Sequence, residues 1–385
     1  MHLGYFMTSQ LLVSALAGQL PSRALHTVGT TNRSNSTTAR LHANLYGLRY
    51  HVPVTVGTQV LPLAIDTGSS DLFVVERGFT CVDKNLARTS QSSCGYGNIT
   101  YSSGDSDRAV SGEVFEASYA AGAVRGPIVY ENITLAGVPI TNQKIALVNW
   151  STPLNIGSAG VLGLAFPPVT KAYELNTTLQ QDTKPQGTQQ PYNPVVINMY
   201  EQHLVEPYIS LAMNRLPRNQ SEGDGGYLTL GGLPLVDVTS NFTTVPLEYL
   251  DGALVVSQRI DYVDHGHMQM PYQTIVDSGG PYLRLPKDTA EEYNQGFEPA
   301  GKWDADTGFY EVQCDAVPPR LSLTIGNHSF THNPADLISR DDEGRCFSVV
   351  VPASTTGILS RSIGVPFLKN VVAVFDYGQS DWLQK

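Results

Sequence analysis

Charge is scarce in this chain of 385 residues: Asp, Glu, Lys and Arg make up 15% of it, against roughly a quarter in an ordinary soluble domain. Basic charge is scarcer still, with 24 Lys and Arg against 35 Asp and Glu and a net charge of −11. No dense Lys/Arg run occurs, which argues against nucleic acid or an anionic membrane as a partner. Cysteine is limited to Cys81, Cys94, Cys314 and Cys346, and none are spaced as CxxC, so zinc-ribbon and dithiol redox chemistry are excluded. Long apolar runs are missing: nothing approaches the ~18 residues of a membrane-crossing helix, and no apolar C-terminal tail would direct a lipid anchor. The G-x-S-x-G and H-E-x-x-H patterns of common serine and zinc hydrolases are also absent. His265 and His267 have no further ligand motif beside them and read as a hairpin turn, and Gly223-Asp224-Gly225-Gly226 precedes a strand-like run where a phosphate loop would follow one. No metal or cofactor is expected.

Turn formers are plentiful, with 35 Gly and 24 Pro, as suits an all-β chain of short strands. The length allows two cores. The cysteines fall as one near pair in each half, for which two local disulfides are the simplest reading. Nine Asn-x-Ser/Thr sequons, at Asn32, Asn35, Asn98, Asn132, Asn149, Asn176, Asn219, Asn241 and Asn327, point to a glycosylated protein of the secretory route. An apolar run at Leu11–Leu16 with small residues at Ala15 and Ala17 reads as a signal peptide over 1–17, although the stretch before it has no Lys or Arg and a plain disordered leader fits too. Residues 18–44 then form a short pro or leader segment, loosest in the Ser/Thr/Asn-rich part at 27–38. Helical patterns are confined to Pro194–Val205 and Asp288–Gln295, the second with a capping pair in Asp288 and Glu291 and a stop at Gly296.

From Leu48 to Ile65 the pattern is strand, turn, strand, leading directly into Asp66-Thr67-Gly68-Ser69. Residues 259–276 repeat that plan and lead into Asp277-Ser278-Gly279-Gly280. Each half later reaches a hydrophobic-hydrophobic-Gly element, Val161-Leu162-Gly163 and, less closely matched, Ser362-Ile363-Gly364. A lone Asp-Thr-Gly is usually a plain turn. Two of them in matching contexts suggest paired chemistry, since a buried lone carboxylate is costly whereas two held close share a proton. Such a pair supplies a general base for water and an acid to polarise a carbonyl. Glycine lets each loop turn tightly, and the hydroxyls of Thr67 and Ser278 are placed to bond across to the other loop.

With these elements in place the chain from Leu45 to Tyr377 resembles the pepsin-like aspartic proteases, the fungal secreted type most closely. The likeness rests on Ile65–Leu72, on Thr100-Tyr101 leading to Ser111-Gly112, and on Gly160–Ala165, Gly226–Gly232, Val276–Gly279 and Val372–Asp376. It implies a bilobal β fold, with a first lobe over 45–235 carrying a hairpin flap and a second over 236–385. It implies Asp66 and Asp277 as the catalytic pair, with Thr67, Gly68, Ser69, Ser278 and Gly279 supporting them, Tyr101 as the flap tyrosine, and bridges Cys81–Cys94 and Cys314–Cys346. The expected enzyme is a monomeric, secreted or vacuolar, acid-favoured endopeptidase that cleaves proteins and peptides and binds pepstatin-type inhibitors. Three departures stand out. Gly280 replaces a Ser or Thr whose hydroxyl would bond the second aspartate, Phe73 replaces a tryptophan, and 105–110 looks like an insertion at the flap tip. They leave open a second reading, a weak or inactive scaffold that binds protein or carbohydrate.

Overall fold

The computed structural model describes residues 10–15, 37–104, 108–175, 187–238, 242–250, 253–262, 267–268, 272–353 and 360–378. The loose segment at 27–38, the polar stretch at 176–190, the turn at 264–267 and the insertion at 105–110 lie wholly or partly outside them, as do Asn32, Asn35, Asn176 and Asn241.

Strands dominate, and the described α-helices are Val195–Glu201, Lys287–Gln295 and Val365–Leu368. The expected capping pair at Asp288 does not form. The helix starts one residue earlier with Pro286 as its N-cap, leaving Asp288 in the first turn, where the helix dipole favours a carboxylate. Gly296 ends it as expected.

Two compact units result: one is His51–Glu206, and the other joins the residues up to Tyr50 to Pro207–Ser380. The border therefore falls near 206, where sequence reasoning places it at 235. The reason is long-range pairing. Strand Tyr208–Met213 runs antiparallel to Val371–Asp376, with Ile209 opposite Phe375 and Leu211 opposite Ala373. Strand Gly223–Leu230 pairs with Thr38–Asn44, Leu228 opposite Ala39. Each of these pairings buries an apolar face that no local pattern assigns to one half or the other.

The apolar run read as a leader is a strand here. Gln10–Ala15 lies antiparallel between Thr243–Pro246 and Val371–Asp376, with Leu12 opposite Thr244 on one side and Val374 on the other. Leu11 and Val13 are fully buried. A six-residue apolar run is too short for its pattern to separate a leader from a core strand.

In the His51–Glu206 unit, strands Gln59–Asp66, Leu72–Val82, Arg108–Ser118, Ala123–Leu135, Val138–Ser151 and Gly160–Gly163 build one sheet. Its core is apolar and β-branched, with Phe73, Val75, Phe115, Ile128, Val148 and Val161 packed together. Disulfide Cys81–Cys94 ties the end of the 72–82 strand to a 3-10 turn at Gln91–Cys94. In the other unit a second sheet holds Ala253–Tyr262, Tyr272–Val276, Ser362–Ile363, Leu283–Leu285 and Leu321–Ile325, and Cys314–Cys346 closes its loop region. Both bridges are those the resemblance implies.

Candidate active site

Each aspartate stands at the end of a strand, and each strand is flanked in the same way. In the first, Leu61, Leu63 and Ile65 are buried and hold the 59–66 strand against its neighbours, so Asp66 arrives almost buried at 8% exposure. Strand 160–163 lies parallel to it, Gly163 opposite Asp66, and antiparallel to the 72–82 strand on its other side. Three N–H groups at the end of that strand and just past it secure the turn: Leu164 donates to the Asp66 carbonyl, Ala165 to Ser69 and Gly163 to Asp71, at 2.8, 2.8 and 3.0 Å. Glycine at 163 is required by this approach, since a Cβ there would sit 2.4 Å from the Ser70 carbonyl carbon.

The second aspartate is framed alike. Strand 362–363 runs parallel to 272–276, with Val276 opposite Ile363, and antiparallel to 283–285. The Asp277 N–H donates to the Ile363 carbonyl at 3.0 Å, and Val365 N–H to Gly280 at 2.8 Å. A Cβ at Gly364 would fall 2.1 Å from the Gly280 carbonyl oxygen. Ser362-Ile363-Gly364, the weaker match by sequence, thus occupies the same place as Val161-Leu162-Gly163.

The fourth positions of the two turns differ. Gly68 N–H donates to Asp66 Oδ1 at 2.8 Å and the Ser69 hydroxyl donates to Oδ2. Thr67 and Ser278 are both buried. At the fourth position of the second motif Gly280 has no hydroxyl to offer, and a Cβ there would meet Asp277 Oδ2 at 2.6 Å.

A model of the eukaryotic aspartyl protease family matches residues 49–382. The chain belongs to that family. A probable aspartic-type endopeptidase of Aspergillus fumigatus is 34% identical over 376 residues, covering 92% of this chain and 82% of the relative. Rhizopuspepsin-1 of Rhizopus niveus is 27% identical over 86% of this chain and 76% of its own. The crystal structure of the aspartic proteinase from Irpex lacteus shares the fold, with a TM-score of 0.67 at 18% identity over 90% of this chain and 98% of that one. The chain is an aspartic-type endopeptidase, a hydrolase of the pepsin type, and pepsin-like proteases act on peptides and are inhibited by pepstatin-type compounds. Among the described residues no helix is long and apolar enough to cross a membrane.

For an aspartyl protease the resemblance assigns the flap tyrosine to Tyr101, and the structure places that residue elsewhere. Tyr101 is 1% exposed, bridges to Glu76, and donates its hydroxyl to the buried Glu131 at 3.1 Å. The hairpin is made by strands 108–118 and 123–135, and its turn is Tyr119–Gly122, closed by Tyr119 N–H to Gly122 carbonyl at 2.7 Å. The Tyr119 ring is partly exposed and packs 6.1 Å from Phe73, while its hydroxyl is buried without a well-formed hydrogen bond, beside Ser69. Burial, then the carboxylates of Asp71 and Asp66, hold that phenol well above its ordinary range. The cue in the sequence was the run Ser118-Tyr119-Ala120-Ala121-Gly122 between two strand patterns.

Asp71 was the other omission. It is wholly buried five residues beyond Asp66, accepting from Lys171 N–H at 3.0 and 3.1 Å and from the Tyr192 hydroxyl at 2.7 Å. Burial pushes its carboxyl from the usual 3.8 up to about 6, opposed by those donors.

Proposed function

We propose that Asp66 and Asp277 are the catalytic pair of a secreted, acid-favoured endopeptidase. The observation that carries this reading is the duplicated frame: two aspartates, each at the end of a strand, each followed by a tight turn held from a parallel strand whose terminal glycine admits no side chain. In this mechanism one carboxylate takes a proton from a water, which attacks the peptide carbonyl. The other, protonated, donates to the carbonyl oxygen as the tetrahedral intermediate forms. We take Asp66, which accepts from the Ser69 hydroxyl and Gly68 N–H, as the base and Asp277 as the acid. Tyr119, at the tip of its hairpin with its hydroxyl beside Ser69, is the flap residue. Sequons and local disulfides support the secretory route, and a vacuolar lumen meets the same conditions.

The test is cleavage of an unfolded protein across about pH 3 to 7, with and without pepstatin, beside Asp66→Asn and Asp277→Asn. Acid-favoured cleavage lost in either variant supports the pair. A folded, processed chain that cleaves nothing would instead favour the binding scaffold that Gly280 and Phe73 suggest.

A further inference from the structure

The second aspartate turn lacks a hydroxyl at Gly280, yet it is not without polar support. The guanidinium of Arg49, the first residue of strand Arg49–Val56, donates to the carbonyl of Gly279, in the middle of Asp277-Ser278-Gly279-Gly280. The flanking carbonyls of that turn are served by backbone: Asp277 accepts from Gly280 N–H at 3.1 Å and Gly280 from Val365 N–H at 2.8 Å. Arg49 reaches the turn from a point 230 residues away in the chain, so the contact is tertiary. Tyr282, two residues past the turn, lies in the field of the same guanidinium.

We propose that Arg49 is a positioning residue for the second aspartate turn, its guanidinium fixing the Gly279 carbonyl and supplying to Asp277 the support that Gly280 cannot give. This rests on the reading of Asp277 as one of the catalytic pair. The first turn holds its carboxylate by a hydroxyl at the fourth position. The second has no room for the equivalent group without moving its carboxylate, because a Cβ at 280 would lie 2.6 Å from Oδ2. A cation bound to the same turn performs part of that task through space, since a nearby positive charge favours the ionised carboxylate. Arginine suits the role because its fork stays charged at every working pH and donates directionally to a carbonyl.

Among the described residues, ionisable groups reach the turn from several elements. Arg49 comes from the 49–56 strand, Arg284 from the 283–285 strand, Arg361 stands at the entry to 362–363, and Tyr282 follows the turn itself. Burial raises the Tyr282 phenol, against Arg49 and Arg284, so it stays neutral in acid. In the proposed mechanism Asp66 is the remaining partner. Arg49 bonds to the turn by its side chain.

The test compares the wild type with Arg49→Gln and Arg49→Lys. In kinetics on one peptide, Arg49→Gln is expected to raise the alkaline limb of the kcat profile, where Asp277 gives up its proton, by roughly half to one pH unit and to lower plateau kcat severalfold with little change in KM. Arg49→Lys keeps the charge and should hold the limb near its wild-type position. The same comparison is made by carbon-13 NMR titration of aspartate-labelled protein, with the Asp277 signal assigned through Asp277→Asn. That titration reads the effect even in a chain that cleaves nothing. An Asp277 titration unmoved in Arg49→Gln, with the variant folded by circular dichroism, overturns the inference. A wild type without activity in which Arg49→Gln still moves the titration overturns the catalytic reading and leaves the electrostatic one standing.

Discussion

Replacing Asp71 by Asn should change how the His51–Glu206 unit depends on pH. The carboxyl is wholly buried and titrates near 6 in the folded chain, against 3.8 ordinarily, chiefly because burial disfavours its charge. Below about pH 4 both folded and unfolded chains hold the proton. Between 4 and 6 the unfolded chain releases it first. The stability this group contributes is therefore complete below pH 4 and is lost as pH rises through 6. A gap of about two units corresponds to about 3 kcal/mol, which is a large part of a typical domain's stability. Asparagine has no proton to lose. Its amide oxygen can still accept from Lys171 N–H, and its NH2 can donate to the Tyr192 hydroxyl, which then turns to accept. The assay is urea unfolding at pH 4, 5, 6 and 7, followed through Trp150 in a chain with Trp303 and Trp382 replaced by Phe. The wild type should lose about 1 M or more in midpoint across that range relative to Asp71→Asn, for a denaturant slope of about 1 to 3 kcal/mol/M. A difference between the two chains that does not change with pH refutes the argument.

His332 in the other unit predicts the opposite trend. Burial lowers it from 6.5 to about 4, so the unfolded chain takes a proton first as pH falls, and stability is lost between 6.5 and 4. Calorimetry should show the two units moving in opposite directions over that range, and His332→Phe should flatten the loss in its own unit. Gly163→Ala must displace the backbone of Ser70 and Asp71 and is expected to cost at least ~3 kcal/mol, with activity falling further than Tm. Normal activity would show that the turn can yield. Asp336→Asn should destabilise its unit by roughly 3 to 5 kcal/mol, because the partners Arg215 and Lys369 are then left as uncompensated charges in a buried network. Unchanged urea unfolding would contradict this. Removing residues 1–17, as leader cleavage would, strips the 10–15 strand from its two neighbours, and a Tm drop of about 4 °C or more is expected in that unit.

The aspartate turns and their crossing strands were legible because their determinants are local. An apolar strand, an Asp-Thr/Ser-Gly turn and a later glycine each leave a mark within a few residues of one another. Tyr119 was missed because two tyrosines precede strand patterns, and only the hairpin register decides which one lies at a turn beside Phe73. Asp71 was missed because aspartates usually face solvent, and nothing nearby in sequence announces Tyr192 or the Lys171 N–H as its partners. Arg49 and the unit border depend on pairings across more than 160 residues, which periodicity cannot reveal.

The strand at 10–15 also bears on how the chain is made. Its partners, at 243–246 and 371–376, follow it from the ribosome by more than 200 and more than 350 residues. At roughly 5 to 20 residues per second, Leu11 and Val13 wait from about 20 s to over a minute for the surfaces that will cover them. The strands of the His51–Glu206 unit have all been made by then, and that unit can close early. Completion of the other joins an early segment to much later ones, and until it happens a short apolar strand stands open to whatever chaperone or stray edge meets it first.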